Sequence, residues 1–312
     1  MTFVVIPPGT ETDPSVDVLN PDVNDGGRIL VGTPGEDRLA GTSGSDSISA
    51  LASNDLVGAG AGNDVVILGE GSDTAGGGTG NDSIQGNRGD DSILGGAGDD
   101  CLRGGRDNDT VDGGEGEDLI FGDRGDDIVS GGSGDDSIQG NSGVDFLEGN
   151  AGNDFLDGGK DSDSLDGGIG DDFLSGSRGN DVLTGGAGAD DFFFWYSADG
   201  SYGVDTLTDF NRDEGDRIVL AANLPEELQN AGFNALAGTP TGNPLPENQF
   251  EVIVNFVPGV GNTAAIVYDP ANGLIYYDPT PGNVGDENQF AQVDNTVYDA
   301  DNPLENTDFE IF

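Results

Sequence analysis

The sequence predicts an all-β protein: a parallel β-roll of nonapeptide repeats, two to each coil, followed by a small β-rich C-terminal capping domain. Three observations predict this fold. An aspartate recurs at every ninth position, an apolar residue follows each aspartate two positions later, and glycines occupy fixed places before it. A constant period of this kind is typical of solenoids, in which each repeat packs only against its neighbours.

The repeat array spans residues 32–193, which are 18 consecutive units of nine residues without an insertion. Its consensus is G-G-x-G-x-D-x-U-x, where U is apolar, from Leu39 in the first unit to Phe192 in the last. Aspartate fills the sixth position of every unit, at Asp37, Asp46, Asp55, Asp64, Asp73, Asp82, Asp91, Asp100, Asp109, Asp118, Asp127, Asp136, Asp145, Asp154, Asp163, Asp172, Asp181 and Asp190. Ordinary aspartate–glycine turns do not require an aspartate at every ninth residue. This regular series of aspartates therefore indicates a bound ligand.

Each position of the unit has a physical reason. Glycines permit positive φ angles and a close approach of the backbone to a ligand, so the first six positions predict a turn. The remaining x-U-x predicts a three-residue strand with U facing inward. Two units return the chain to its starting side, so two units make one coil, and stacked coils lie about 4.8 Å apart.

Basic residues support a coil of two units. The third position of alternate units, from residue 88 onward, holds Arg88, Arg106, Arg124, Ser142, Lys160 and Arg178. The intervening units hold Ala97, Glu115, Ser133, Ala151, Ile169 and Ala187 at that position. We therefore expect the basic residues to stack along one edge of the roll. The column is interpreted first as a solvated face that offsets acidic charge, and second as a site for an anionic polysaccharide.

Composition excludes several classes of protein. The chain has 60 acidic and 10 basic residues, a net charge of −50, which opposes a compact state unless cations neutralise it. This charge argues against nucleic acid binding, which needs basic patches. The chain has no histidine, which excludes Ser-His-Asp and Cys-His catalysis. Its single cysteine, Cys101, has no internal disulfide partner. We expect a passive surface thiol, with pairing between two chains as the alternative.

The energetics of one coil predict that a cation is needed. Two aliphatic side chains per coil offset only part of the entropy that is lost when both units of the coil become ordered. The remaining stabilisation must come from the turns, where carboxylates and carbonyls gather. Oxygen donors suit hard cations, and calcium accepts six to eight of them in flexible geometry, whereas magnesium demands a strict octahedron and retains its waters. Multiple calcium ions are therefore the expected cofactor.

Three parts are expected along the chain: a loose N-terminal extension at 1–31, the array at 32–193, and a β-rich domain at 194–312. The aromatic run at 192–196 is expected to close the open end of the roll and to begin the next core, with a platform for sugar stacking as the alternative. The segment 209–215 reads as an ordinary turn rather than an EF-hand, because Glu214 occupies the place of the required glycine. Residues 264–279 read as a hairpin around an Asp-Pro-x-Asn-Gly turn.

The array resembles the RTX (haemolysin-type) calcium-binding repeat, whose nonapeptide is a known signature. The resemblance implies a parallel β-roll with calcium between stacked turns of one edge, held by sixth-position aspartates and turn carbonyls. Asp82 would share ions with Asp64 and Asp100, and the other aspartates of the ladder would act likewise. Asp55 and Asp73 are set apart as the less certain ligands, because units 50–58 and 68–76 depart from the motif.

The segment 192–220 resembles the one that follows the last repeat in many RTX proteins, and the final DFEIF is similar to uncleaved C-terminal signals of type I secretion substrates. The N-terminus has no basic region and its apolar run stops at Pro7, so no cleaved signal peptide is expected. No apolar stretch is long enough to span a membrane.

These features favour a secreted, extracellular calcium-binding structural or surface protein without enzymatic activity. Type I secretion machinery and a cell-surface polysaccharide are the partners that we consider. An adhesin or glycan-binding module that uses the C-terminal domain remains open. So does the export module of a secreted enzyme or toxin, although the segment 1–31 before the array is too short for a catalytic domain and no G-x-S-x-G occurs.

Overall fold

The computed structural model describes residues 3–5, 27–195, 203–221, 243–244, 250–252, 266–269, 274–277, 288–293 and 309–311. Every regular element among these residues is a β-strand. The chain divides into two compact units, Met1–Leu156 and Asp157–Phe312. The boundary falls inside one strand of the array, so each unit contains a part of the repeats.

The first unit contains strands of three or six residues. They are β1 (Phe3–Val5), β2 (Ile29–Val31), β3 (Arg38–Ala40), β4 (Ser47–Ala52), β5 (Leu56–Ala61), β6 (Val65–Glu70), β7 (Thr74–Thr79), β8 (Ser83–Arg88), β9 (Ser92–Ala97), β10 (Cys101–Arg106), β11 (Thr110–Glu115), β12 (Leu119–Arg124), β13 (Ile128–Ser133), β14 (Ser137–Ser142) and β15 (Phe146–Ala151). The strand β16 (Phe155–Lys160) crosses the boundary.

Alternate strands of the first unit form two parallel sheets. One has the order β1-β2-β4-β6-β8-β10-β12-β14 and the other β15-β13-β11-β9-β7-β5-β3. Neighbouring strands of the array are in register at a separation of two nonapeptides, as Leu102 pairs with Ile120 and Val111 with Val129. The predicted parallel β-roll with two units per coil is therefore confirmed.

The U residues form the core. Leu102, Ile120, Ile138 and Leu147 are among the fully buried side chains, while the residues on either side of the U residue in β10 and β12 are exposed or half-buried. The strands are longer than the sequence predicts: β10 covers positions seven to nine of one unit and one to three of the next. The reason is that position one also faces inward, which continues the alternation, and only positions four to six remain as the turn.

The roll begins before the first aspartate of the array. Leu30 of β2 is buried and pairs with Ile48, so it occupies a U position. Arg28 stands where the sixth-position aspartate would be, and its backbone amide still donates to Oδ1 of Asp46 at 2.5 Å. Residues 27–31 therefore belong to the roll, although no sixth-position aspartate identifies them in the sequence.

The second unit continues this architecture beyond residue 193. Its strands are β17 (Ser164–Ile169), β18 (Phe173–Arg178), β19 (Val182–Ala187), β20 (Asp191–Trp195), β21 (Asp205–Leu207), β22 (Arg217–Ala221), β23 (Asn243–Pro244), β24 (Phe250–Val252), β25 (Ile266–Asp269), β26 (Leu274–Tyr277), β27 (Asn288–Val293) and β28 (Phe309–Ile311). Parallel pairs link β18-β20-β22-β28 in one sheet and β17-β19-β21-β27 in the other.

The aromatic run does not close the roll, contrary to the sequence-based expectation. Phe192 of β20 is buried in the U row, and β20 pairs with β22 on its far side, where Phe192 lies opposite Ile218. Tyr196 lies outside the described residues. The predicted hairpin is confirmed in its strands, since β25 and β26 pair antiparallel from Ile266–Tyr277 to Asp269–Leu274. The segment 211–215 is a turn, as expected.

Candidate metal centre

The sixth-position aspartates form hydrogen-bonded ladders along the roll. The backbone amide of Asp82 donates to Oδ1 of Asp100 at 2.7 Å, and the amide of Asp100 donates to Oδ1 of Asp118 at 2.7 Å. The residue after each aspartate donates in the opposite direction, as Leu119 N does to the carbonyl of Asp100 at 2.9 Å. Because alternate units lie on opposite edges of the roll, the aspartates form two such ladders.

In twelve of these aspartates, the other carboxylate oxygen has no hydrogen-bond donor. This holds for Oδ2 of Asp55, Asp64, Asp73, Asp82, Asp91, Asp100, Asp109, Asp118, Asp127, Asp136, Asp181 and Asp190, all buried in the described part of the chain. In mid-array, Oδ2 of Asp118 and the carbonyl oxygen of Gly131 both lie against Gly113, where an added Cβ would collide with them. Carboxylate and carbonyl oxygens therefore gather at the position-one glycine.

Burial makes the charged form of these carboxyl groups unfavourable. Loss of solvent, reinforced by the charges of neighbouring aspartates, raises the pKa of Asp91 to about 7, that of Asp109 to about 8 and that of Asp136 to about 7. Burial also raises the pKa of Asp118. A buried carboxylate with an unpaired oxygen is strongly destabilising unless a proton or a cation compensates it.

The donor set fits calcium. Within the described ranges, no three Asp, Glu, Cys or His side chains converge on one point, so a bound ion would need backbone carbonyls beside the aspartates. Oxygen-only coordination that mixes carboxylates and carbonyls suits calcium, whose ligand number and geometry are flexible. When bound, calcium would supply positive charge to the buried carboxylates. The backbone amides already hold Oδ1, which leaves Oδ2 free to face an ion.

The comparison with known families agrees with this geometry. The model of the RTX calcium-binding nonapeptide repeat (4 copies) matches residues 31–66, 67–100, 76–111, 95–129, 103–138, 130–165, 139–174 and 166–194, more than half of the chain. The chain belongs to the RTX calcium-binding repeat family. A search of the curated proteins found no match.

Two RTX units that depart from the motif keep the ladder geometry. Asp55 N donates to Oδ1 of Asp73 at 2.7 Å, as in the regular units. The difference lies at position one, where buried Ala50 and Leu68 replace glycine. The side chains of Ala50 and Leu68 place carbon atoms where the regular units have a glycine. These two RTX units therefore differ from the regular units in amino-acid composition, while the backbone follows the same path.

The first two RTX units satisfy their carboxylates internally. The backbone amide of Thr33 donates to Oδ2 of Asp37, and that of Thr42 to Oδ2 of Asp46, both at 2.5 Å. The threonine hydroxyls lie 3.2 and 3.1 Å from the same oxygens. Sequence reasoning gave Asp37 and Asp46 the same role as the other aspartates and missed this distinction. The threonine at position two of these units is the signal that identifies it.

Position five carries a second ladder that sequence reasoning missed. The amide of Glu117 donates to Oδ1 of Asp99 at 3.1 Å, and the amide of Asp126 donates to Oδ1 of Asn108 at 3.0 Å. These bonds run from a coil to the preceding one, opposite to the amide-to-carboxylate bonds of position six. The signal in the sequence is the frequent Asp, Asn or Ser immediately before the sixth-position aspartate.

The basic column lies where the sequence predicts. Arg106 and Arg124 are register partners on β10 and β12, and Arg88 lies on β8 of the same sheet. All three are exposed, and Arg88 forms an ion pair with Glu70 at 2.9 Å. Glu115 and Ser133 pair in the other sheet. This separation of the two columns supports the two-unit coil independently of the aspartates.

Proposed function

We propose that this protein is a secreted, extracellular calcium-binding structural or surface protein whose β-roll folds when calcium binds. Membership of the RTX family supports calcium binding and makes secretion the expected route. The single observation that carries the proposal is the row of buried aspartates whose Oδ2 has no donor. No enzymatic activity is assigned to the chain.

Electrostatics support the coupling of calcium binding to folding. The net charge is −50, and the aspartates stack at one-coil intervals in the interior of the turns. An unfolded chain exposes these carboxylates to water and holds no preformed site. A ligand that binds only the folded state shifts the equilibrium toward it by mass action. Calcium therefore acts as a part of the fold.

The same coupling supports an extracellular location. A roll that depends on many calcium ions is stable only where calcium is abundant relative to its affinity, and weak calcium modules with Kd of about 10⁻⁴–10⁻³ M are typical of extracellular proteins. Type I export, followed by folding outside the cell, fits this dependence. In the described part of the chain, no helix is long and apolar enough to cross a membrane.

The test is far-UV circular dichroism of the full chain in excess chelator and during a calcium titration. We expect a largely disordered spectrum in chelator and a cooperative rise in β-structure with calcium. Magnesium at the same concentration and sodium chloride at the same ionic strength serve as controls, because screening alone would weaken repulsion without filling a site. An unchanged spectrum on removal of calcium would contradict the proposal.

A further inference from the structure

Three arginines of the basic column lie on neighbouring strands of one sheet. The carbonyl oxygen of Arg106 accepts the amide of Gly89 at 3.2 Å, which places Arg106 beside Arg88. On its other side, Arg106 is the register partner of Arg124. Glu70 occupies the same place on the strand before Arg88. Neighbouring strands lie about 4.8 Å apart, so this arginine series presents one basic side chain at each such interval.

Arg88 shows which chemical group a member of the arginine series accepts. Its guanidinium forms an ion pair with the carboxylate of Glu70, one coil before it, at 2.9 Å. A carboxylate at a distance of one strand is therefore a suitable partner, because the planar guanidinium matches the geometry of a carboxylate. Within the part of the chain that the structure describes, Arg106 and Arg124 form no ion pair.

The acidic residues near Arg106 and Arg124 contact other partners. The carboxylates of Asp107 and Asp126 accept backbone amides at 3.2 and 2.9 Å. Oδ2 of Asp123 lies 3.7 Å from Nε of Arg103, whose guanidinium also covers an aromatic ring. The chain has 60 acidic and 10 basic residues, but none of these nearby carboxylates pairs with the two arginines.

This arrangement favours a binding site over a merely solvated face. Arg106 and Arg124 are both exposed and lie directly opposite each other on β10 and β12, and like charges in this position destabilise a sheet. Arginines that serve only to offset acidic charge are expected to lie against carboxylates, as Arg88 and Arg103 do. An external ligand with regularly spaced negative charges would offset the repulsion between Arg106 and Arg124.

The spacing and the net charge favour one kind of ligand. Duplex DNA carries one negative charge per about 1.7 Å of its axis, which is denser than one arginine per strand and is repelled by a net charge of −50. A linear polyuronate carries one carboxylate on each sugar ring, at a spacing similar to that of neighbouring strands. Calcium in the turns would offset part of the net charge, and distant acidic residues are screened beyond about 8 Å at physiological ionic strength.

We propose that Arg106 and Arg124 bind an acidic polysaccharide of the polyuronate class, with carboxylates of successive sugars at successive strands of the sheet. The inference rests on the proposed function, because a secreted, calcium-loaded roll would meet such polymers at a cell surface. Each guanidinium donates hydrogen bonds to one carboxylate. Glu70 limits the site at one end, since it already occupies Arg88.

The first test is calorimetric titration of the full chain with a hexamer of galacturonic acid. All titrations use the same saturating calcium concentration, so that any calcium bridge between ligand and protein is common to all variants. Arg106→Gln and Arg124→Gln are each expected to weaken binding about fivefold or more. Arg38→Gln removes the same charge from an exposed position of the other sheet and should change binding less than about twofold. Circular dichroism in calcium verifies that the variants remain folded.

A second variant tests the site by a gain of binding. Glu70→Gln releases Arg88 from its ion pair and should extend the site by one strand, so that the hexamer binds about threefold more tightly. Glu115→Gln is the matched control, because it removes the same charge from an exposed residue of the other sheet. Equal effects of these two variants would overturn the role of Glu70 and Arg88 in limiting the site.

The outcomes separate this inference from the proposed function. Equal losses from Arg106→Gln, Arg124→Gln and Arg38→Gln would show an effect of net charge and overturn the site. Tighter binding of a single-stranded oligonucleotide of equal charge, or equal binding of an uncharged galactose hexamer, would also overturn it. A chain that folds with calcium but does not bind the hexamer overturns this inference alone. A chain whose fold does not depend on calcium overturns the proposed function, and its titration with the hexamer still decides the site.

Discussion

The backbone amide of Asp118 donates to Oδ1 of Asp136, one coil further along the roll, at 2.8 Å. Oδ1 of Asp118 in turn accepts the amide of Asp100 at 2.7 Å. Asp118 thus orders the coil before it through Oδ1 and leaves Oδ2 buried beside Gly113. The ladder couples neighbouring coils directly, so we expect damage at one aspartate to spread first to the adjacent coils.

Replacement of Asp118 by alanine tests the role of position six. We expect a lower calcium count and a higher calcium concentration at the folding midpoint, because the variant loses a buried carboxylate and leaves the Asp100 amide without its acceptor. Glu115→Ala is the matched control, since Glu115 is exposed at position three of the same unit. Calorimetric titration of both variants gives the measurement. Equal losses in the two variants would show that bulk negative charge binds the calcium.

Stability without calcium should fall as the pH rises. Aspartate in the unfolded chain titrates near 3.8, whereas burial raises the pKa of Asp91 to about 7 and that of Asp109 to about 8 in the folded coil. The folded state therefore holds protons more tightly, and its stability is lost as the pH rises through the folded pKa values. Calcium-free protein should be more structured at pH 5 than at pH 8 by circular dichroism.

The pH dependence of calcium binding should have the opposite sign to that of the stability without calcium. Calcium competes with protons for the carboxylates, so its apparent affinity should weaken as the pH falls from 8 to 5. Titrations at several pH values, with proton release followed in weakly buffered solution, measure this effect. An affinity that does not change across this range would contradict the assignment of the buried aspartates as ligands.

Substitution of the glycine at position one should weaken calcium binding more than substitution of a glycine at another position. In Gly113→Ala the new methyl group would collide with Oδ2 of Asp118 and approach the carbonyl oxygen of Gly131 to 2.5 Å. We expect weaker calcium binding, because the carboxylate must move. Gly58→Ala is the control, since a Cβ at that strand position meets nothing within 4 Å. It should change stability by no more than about 1 kcal/mol. Calcium midpoints that are equal in the two variants would refute the argument.

The U row should dominate the apolar contribution to stability. Ile138 is fully buried, whereas Ile128 on the adjoining strand of the chain is 54% exposed. Truncation of Ile138 to alanine is expected to cost about 2–5 kcal/mol, and Ile128→Ala about 0.5 kcal/mol or less. Chemical denaturation in saturating calcium compares the two variants. A similar loss in both would mean that the core lies elsewhere.

Much of the roll could be predicted because its period is encoded at several positions at once. The sixth-position aspartates, the U residues and the third-position arginines each repeat independently. The pairing of Arg106 with Arg124 follows from that spacing and is found in the structure. A chain with such redundant signals leaves few alternative registers, since a shift by one residue would expose the U row.

Other features depend on neighbours that the nonapeptide pattern does not identify. The hydrogen bonds of Thr33 and Thr42 to their aspartates depend on the folded turn, although threonine at position two distinguishes these two units in the sequence. Asp205 joins the ladder after an interval that is not a multiple of nine, so a search at steps of nine cannot detect it. The strands of the array extend through the glycine at position one because this position faces the interior of the roll. This orientation becomes clear only from the location of the aspartate carboxylate that lies against the glycine.

A crystal structure of the calcium-loaded chain tests the central claim most directly, through anomalous scattering at the position of Asp118 Oδ2. The account predicts calcium about 2.3–2.6 Å from this oxygen, the usual range for calcium–oxygen bonds. Similar ions are predicted at the equivalent atoms of Asp100 and Asp136. An Oδ2 of Asp118 that contacts only protein or water in a folded, calcium-saturated roll would contradict the account.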